Sequence, residues 1–403
     1  MKRYLAFALT ALLLAGCAPA SSPAESAPSS SPPADVSAMA PADISEPEPE
    51  PEPDPRQETI DGLLASMSAE EKVGQLFFAC CPLGDAAALA AEYHLGGYLL
   101  FSRDFKDAAG SWLTEDQLKQ TIQSYQDAAA IPMLIGADEE GGTVARASAD
   151  PNLREKRFSS PQRLYEKGGL EAILADCREK DELLSRLGIN VNFAPVADLS
   201  TDPRDFIYDR TLGRDAEETG AYIAAVTKQM GADSMGGVLK HFPGYGNNAD
   251  THTGSAVDER PIETFRTADF LPFQAGIEAS GGTMAVLVSH NIVTSMDPDR
   301  PASLSPAVYR LLREELSFDG PALTDNLAMR AVTKFAGDDS PAVLALTAGC
   351  DMVVTPDFQT QIPQVLAALE EGALTQDRVD EAVSRVLGWK YDLGLLSQED
   401  QLP

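Results

Sequence analysis

The chain has 403 residues, a length that suits one large barrel domain with an appended tail. Its formal net charge of −31 excludes a nucleic-acid binder, because phosphate backbones demand a surplus of Lys and Arg. The hydrophobic fraction of 44% is ample for a sizeable core.

In chain order, Lys2 and Arg3 form a positive n-region, and Leu5 to Ala15 form an apolar run too short to span a bilayer. It closes in Leu14-Ala15-Gly16-Cys17, which resembles the bacterial lipobox. That resemblance implies a diacylated Cys17 as the mature N-terminus, hence an extracytoplasmic protein anchored to a membrane by lipid. Residues 1–17 are therefore read as a signal peptide. Residues 18–56, rich in Pro, Glu and Ser, include the run Glu46-Pro47-Glu48-Pro49-Glu50-Pro51-Glu52-Pro53. Prolines without N–H groups and repelling carboxylates build no core, so a disordered tether is expected. Residues 57–403 remain for one folded domain. Of five cysteines, Cys80, Cys81, Cys177 and Cys350 have no metal-type spacing and read as small buried apolar groups; a disulfide is not deducible.

Eight short apolar runs follow: 75–79, 97–101, 132–136, 191–196, 237–241, 284–288, 321–324 and 352–354. They do not alternate with polar residues, the mark of parallel strands buried on both faces. Helix-like segments lie between them, among them 219–230, 262–279, 305–316 and 377–393. The expected fold class is α/β, a (β/α)8 TIM barrel with a single catalytic domain. Asp138, Asp198, Lys240-His241, Ser289-His290, Asp325 and Asp351 are all expected at C-terminal strand ends, the rim that carries active sites in such barrels.

The most specific motif is Lys240-His241-Phe242-Pro243-Gly244-Tyr245-Gly246 followed by Asp250-Thr251-His252. With Asp138-Glu139-Glu140-Gly141-Gly142, Asn192-Phe193-Ala194-Pro195-Val196-Ala197-Asp198 and Thr324-Asp325-Asn326-Leu327-Ala328-Met329, it resembles glycoside hydrolase family 3, specifically the β-N-acetylhexosaminidase branch. The resemblance runs from about Ile60 to Leu395. It implies a retaining hydrolase that releases terminal non-reducing β-linked N-acetylglucosamine, with peptidoglycan fragments as the expected carbohydrate substrate. Two departures touch the pocket rim: Thr143 stands where the family often has Arg, and Tyr245 where many members have a third His.

The catalytic group is read as Asp325, His252 and Asp250. Two residues apart in an extended loop, Asp250 can accept the Nδ1 proton of His252 and leave Nε2 for substrate. Asp325 matches the family's nucleophile. By the same resemblance Asp138, Arg146, Arg210, Lys240 and His241 bind the sugar. His290 fits a satisfied core histidine as well as a ligand contact, and His94 reads as structural. No cofactor is implied, and the four histidines show no metal-type spacing. Another β-glycosidase specificity, phosphorolysis, and a non-enzymatic sugar-binding lipoprotein are the competing readings.

Overall fold

Eight parallel strands form one sheet: β1 Phe77–Cys80, β2 Gly97–Leu100, β3 Leu134–Ala137, β4 Val191–Asn192, β5 Gly236–Phe242, β6 Met284–Val288, β7 Ala322–Thr324 and β8 Val353–Thr355. In sheet order β8 precedes β1 and β7 comes last. The bridge Leu323↔Met352 joins the two ends, so the sheet closes on itself. The chain is thus the expected α/β barrel. This computed structural model describes residues 54–248 and 256–397. Cys17, residues 18–53 of the tether and the pair Asp250 and His252 lie outside the described residues. The end of the expected tether is corrected, because Asp54 caps a helix, Pro55–Ser66, that already includes Pro55 and Arg56.

The strands are buried along their whole length because helices cover the outside and side chains fill the inside. Phe78 and Phe193 belong to non-neighbouring parts of the sheet and meet edge to face across the interior, with centroids 5.0 Å apart. Gly136 on β3 makes this possible. A Cβ there would lie 2.6 Å from the Phe193 ring and 2.9 Å from that of Phe78. The four described cysteines are buried, as read from the sequence, and free.

Three local differences from the sequence reading have physical causes. The run 191–196 is regular only at Val191–Asn192, and Pro195 has no N–H to donate to a neighbouring strand. Val196 then rejoins β5 through a bridge to Lys240. The helix expected over 262–279 is interrupted by a π turn at Phe265–Asp269, just before Pro272 removes the donor to Ala268.

The third difference is a correction. Asp351 precedes β8 instead of following it, and so sits on the rim opposite Asp138 and Asp325. It is fully buried beneath Arg313, Arg378 and Arg385, and one carboxylate oxygen accepts the Ala322 N–H at 2.8 Å. That rim serves stability.

Candidate active site

Asp138, one residue beyond β3, opens the loop that also carries Glu139, Glu140 and Arg146. Lys240, near the end of β5, is 3% exposed and reaches across with Nζ 2.8 Å from Asp138 Oδ1 and 2.6 Å from Glu140 Oε1. Arg146 Nη2 lies 3.1 Å from the other Asp138 oxygen. Arg210, at the end of the turn Tyr208–Arg210, grips Glu140 with Nε at 2.9 Å and Nη2 at 2.7 Å. The same Nη2 stands 3.2 Å from His241 Nε2. All five residues read as sugar-binding therefore meet in one connected cluster.

Charges balance within that cluster. Burial opposes ionisation of Glu140, yet Arg210 and then Lys240 outweigh it and hold its carboxyl well below the usual range. Burial likewise works against Arg210, and Glu140 raises it above its ordinary value. Asp138 is less enclosed than Glu140, with 15% of its side chain exposed against 2%. Of the two carboxylates, Asp138 is the one placed to offer an oxygen to a ligand hydroxyl, and flanking cations sharpen that grip.

His241 is held at both ring nitrogens. Nδ1 lies 2.7 Å from Asp198 Oδ2, and the same oxygen accepts the His241 backbone N–H at 3.0 Å. A carboxylate only accepts and a guanidinium only donates. The partners thus assign a neutral imidazole with its proton on Nδ1 and the Nε2 lone pair toward Arg210. With that lone pair engaged, His241 is built to orient rather than to shuttle protons.

Two residues that lie within the motifs but were given no role there brace this arrangement. Glu139 is fully buried and accepts the backbone N–H groups of Arg146 and Ser148 at 2.9 and 3.2 Å, along with the Ser148 hydroxyl. Burial raises its pKa, opposed by the Ser148 bond and those backbone donors. Asn192 pairs with its main chain from β4, donating to Glu139 O at 3.2 Å and accepting from Glu139 N at 3.0 Å. Glu140 was the other omission. The signal available was a pair of carboxylates directly after a strand-end Asp, which a soluble loop would not bury.

Asp325 follows β7 on the same rim. Its N–H donates to Val288 O at 2.9 Å, and its Oδ1 accepts the Asn326 N–H at 2.7 Å. His290 is fully buried, with Nδ1 2.6 Å from Ser303 Oγ and Nε2 3.0 Å from Asn326 O. It braces the turn that presents Asp325, the core-histidine alternative of the sequence reading. His94 lies in a turn far from the rim cluster, where its carbonyl accepts from Gln75 Nε2. Among the described residues no group of His, Cys, Asp and Glu could hold a metal ion.

A closed parallel barrel with a charge-balanced cluster of carboxylates and cations, and a further carboxylate on its C-terminal rim, fits a barrel enzyme acting on polar ligands. The family model for the glycosyl hydrolase family 3 N terminal domain matches residues 68–388. The chain belongs to glycosyl hydrolase family 3, and is a glycosidase. It is 28% identical over 402 residues to the beta-hexosaminidase LpqI of Mycobacterium tuberculosis, covering 95% of each chain. It is 32% identical to a beta-hexosaminidase of Idiomarina loihiensis, covering 74% of this chain and 87% of that one. Among solved structures it resembles a family 3 beta-N-acetylglucosaminidase from Paenibacillus sp. str. FPU-7, with a TM-score of 0.74 and 29% identity. That match covers 84% of this chain and 66% of the other. The LpqI structure matches with a TM-score of 0.72 over 81% of this chain and 95% of that one.

Proposed function

We propose that the protein is a retaining β-N-acetylhexosaminidase that releases terminal β-linked N-acetylglucosamine, with peptidoglycan fragments as its substrate. The observation that carries this reading is the clustering of Asp138, Arg146, Arg210, Lys240 and His241 on the rim that also bears Asp325. The names of its relatives favour an N-acetylhexosamine over other sugars.

In the proposed mechanism the cluster holds the hydroxyls of the terminal sugar. An Asp325 oxygen attacks the anomeric carbon while the glycosidic bond breaks, and the departing oxygen takes a proton from His252. Water then attacks the same carbon, gives a proton to His252, and frees Asp325. Two displacements retain configuration. Asp250 serves to orient His252 and to stabilise its charged form. A lipid on Cys17 and a tether leading from it to the helix that starts at Pro55 place the enzyme at a bacterial membrane surface outside the cytoplasm.

The test is to incubate the protein with a fluorinated N-acetylglucosaminyl fluoride and map the adduct by mass spectrometry. One sugar on the peptide containing Asp325 is the expected result. A label on another carboxylate, or product of inverted configuration, overturns the mechanism.

A further inference from the structure

Phe206 lies on the loop between β4 and Arg210, and 42% of it is exposed although its side chain is a large apolar ring. The ring does not stand alone. It rests on Tyr245 with centroids 5.7 Å apart and planes tilted by 44°. Tyr245 is buried in turn and meets the edge of His241 at 5.6 Å. The backbone N–H of Tyr245 donates to Asp198 Oδ1 at 2.7 Å, so the carboxylate that orients His241 also fixes the ring beneath Phe206.

The loop is pinned as well. Ser200 Oγ donates to Asp205 Oδ2 at 2.7 Å, Asp205 N to Asp202 O at 3.0 Å, and Gln162 Nε2 to Tyr208 O at 2.6 Å. Its far end is Arg210, locked onto Glu140. An apolar ring held in place and left partly in water, one ring away from the charged cluster, offers a ligand a preformed apolar surface.

We propose that Phe206, backed by Tyr245, is the platform on which the sugar ring on the leaving side of the scissile bond stacks. A pyranose carries an apolar C–H face that packs against an aromatic ring while its hydroxyls stay wet. Two ring-to-ring steps, of 5.7 and 5.6 Å, lead outward from His241 to Phe206. Phe206 is thus separated from the cluster that the proposal gives to the terminal sugar by one intervening ring, and it is the next sugar that is proposed to meet it. The ligand class is a β-linked oligosaccharide with a pyranose as its leaving group. This inference rests on the reading that the Asp138 cluster holds the terminal sugar.

The experiment measures kcat/KM of the full chain on N,N'-diacetylchitobiose, whose leaving group is a sugar, and on methyl β-N-acetylglucosaminide, whose leaving group has no ring. In Phe206→Ala the disaccharide-to-methyl ratio falls about five- to tenfold, mainly through KM for the disaccharide, and Phe206→Trp restores it. Leu83→Ala, which removes an exposed apolar side chain from the loop after β1, leaves the ratio as in the wild type. An unchanged ratio in Phe206→Ala, or a ratio not restored by Trp, overturns the platform. If the wild type cleaves β-glucosides and not N-acetylglucosaminides, it is the sugar assignment that fails. Cellobiose and methyl β-glucoside then read the same ratio for the platform.

Discussion

Asp198 Oδ2 takes two hydrogen bonds from one residue, the backbone N–H of His241 at 3.0 Å and its ring Nδ1 at 2.7 Å. The histidine is thereby fixed in position, orientation and tautomer at once, and its Nε2 is aimed at Arg210. Asp198→Asn tests how much this matters. An amide in place of the carboxylate weakens both bonds and allows a ring with its proton on Nε2, where it confronts the Arg210 donor. Loss of charge-assisted bonds of about 1.5–3 kcal/mol corresponds to a fall in kcat/KM of roughly 10- to 100-fold. Steady-state hydrolysis of an aryl N-acetylglucosaminide checks it, and wild-type kinetics would show that His241 needs no such anchor.

Glu140 presents a different case, because it neutralises Arg210 and shares Lys240 with Asp138. Glu140→Gln leaves Arg210 without its carboxylate partner, and leaves Lys240 to share Asp138 with Arg146, in a nearly closed site. Breaking a buried pair from one side costs roughly 3–5 kcal/mol, so the variant unfolds at lower denaturant concentration. Released from Glu140, Arg210 no longer holds its place and KM rises. A variant as stable as the parent would mean that Asp138 alone carries both cations.

The barrel was legible because its eight apolar runs are continuous, which only strands covered on both faces require. Strand ends and direction were less so. Asp351 lies beside Met352-Val353-Val354 just as Asp325 lies beside Ala322-Leu323-Thr324, and only the side on which each stands decides its rim. The five residues of the charged cluster, read as sugar-binding, came through the family motifs, residue by residue. The pairings of Asp198 with His241 and of Glu140 with Arg210 span 43 and 70 residues, so no local spacing announces them. Phe206 carried no signal at all, since an aromatic residue in a loop acquires meaning only from the ring it leans on.

The two rims predict opposite phenotypes. Asp351→Asn strips the charge from a carboxyl group that faces Arg313, Arg378 and Arg385. A loss of roughly 3–5 kcal/mol in unfolding free energy is expected, with kcat unchanged below the melting transition. A selective loss of kcat in a stable variant would put Asp351 back in the chemistry.

His252, as the proposed proton donor, should matter in proportion to the need for one. His252→Ala slows hydrolysis of an alkyl N-acetylglucosaminide by 100-fold or more, and that of a dinitrophenyl one far less, because a good leaving oxygen departs unprotonated. Asp325→Ala abolishes both. Equal losses on the two substrates in His252→Ala would remove this histidine from the acid role.

Lys390 gives a stability test with a definite sign. It is fully buried on the helix Gln376–Asp392, and its Nζ lies 2.6 Å from Gln75 Oε1. Burial pushes its pKa down to about 7 from an ordinary 10.5. In the folded protein the proton leaves as pH rises through about 7, whereas the unfolded chain keeps it until about 10.5. Between those values the unfolded state binds more protons, so this group adds stability as pH rises, and below about 7 its penalty is constant. The span corresponds to roughly 3–5 kcal/mol. Lys390→Met removes the penalty at the cost of one hydrogen bond worth about 1 kcal/mol. The variant should therefore be more stable than the parent at pH 6, and its advantage should shrink and then reverse toward pH 10. Urea denaturation of both proteins at several pH values measures the difference. A gap that stays constant with pH would mean that Lys390 keeps its proton inside the fold.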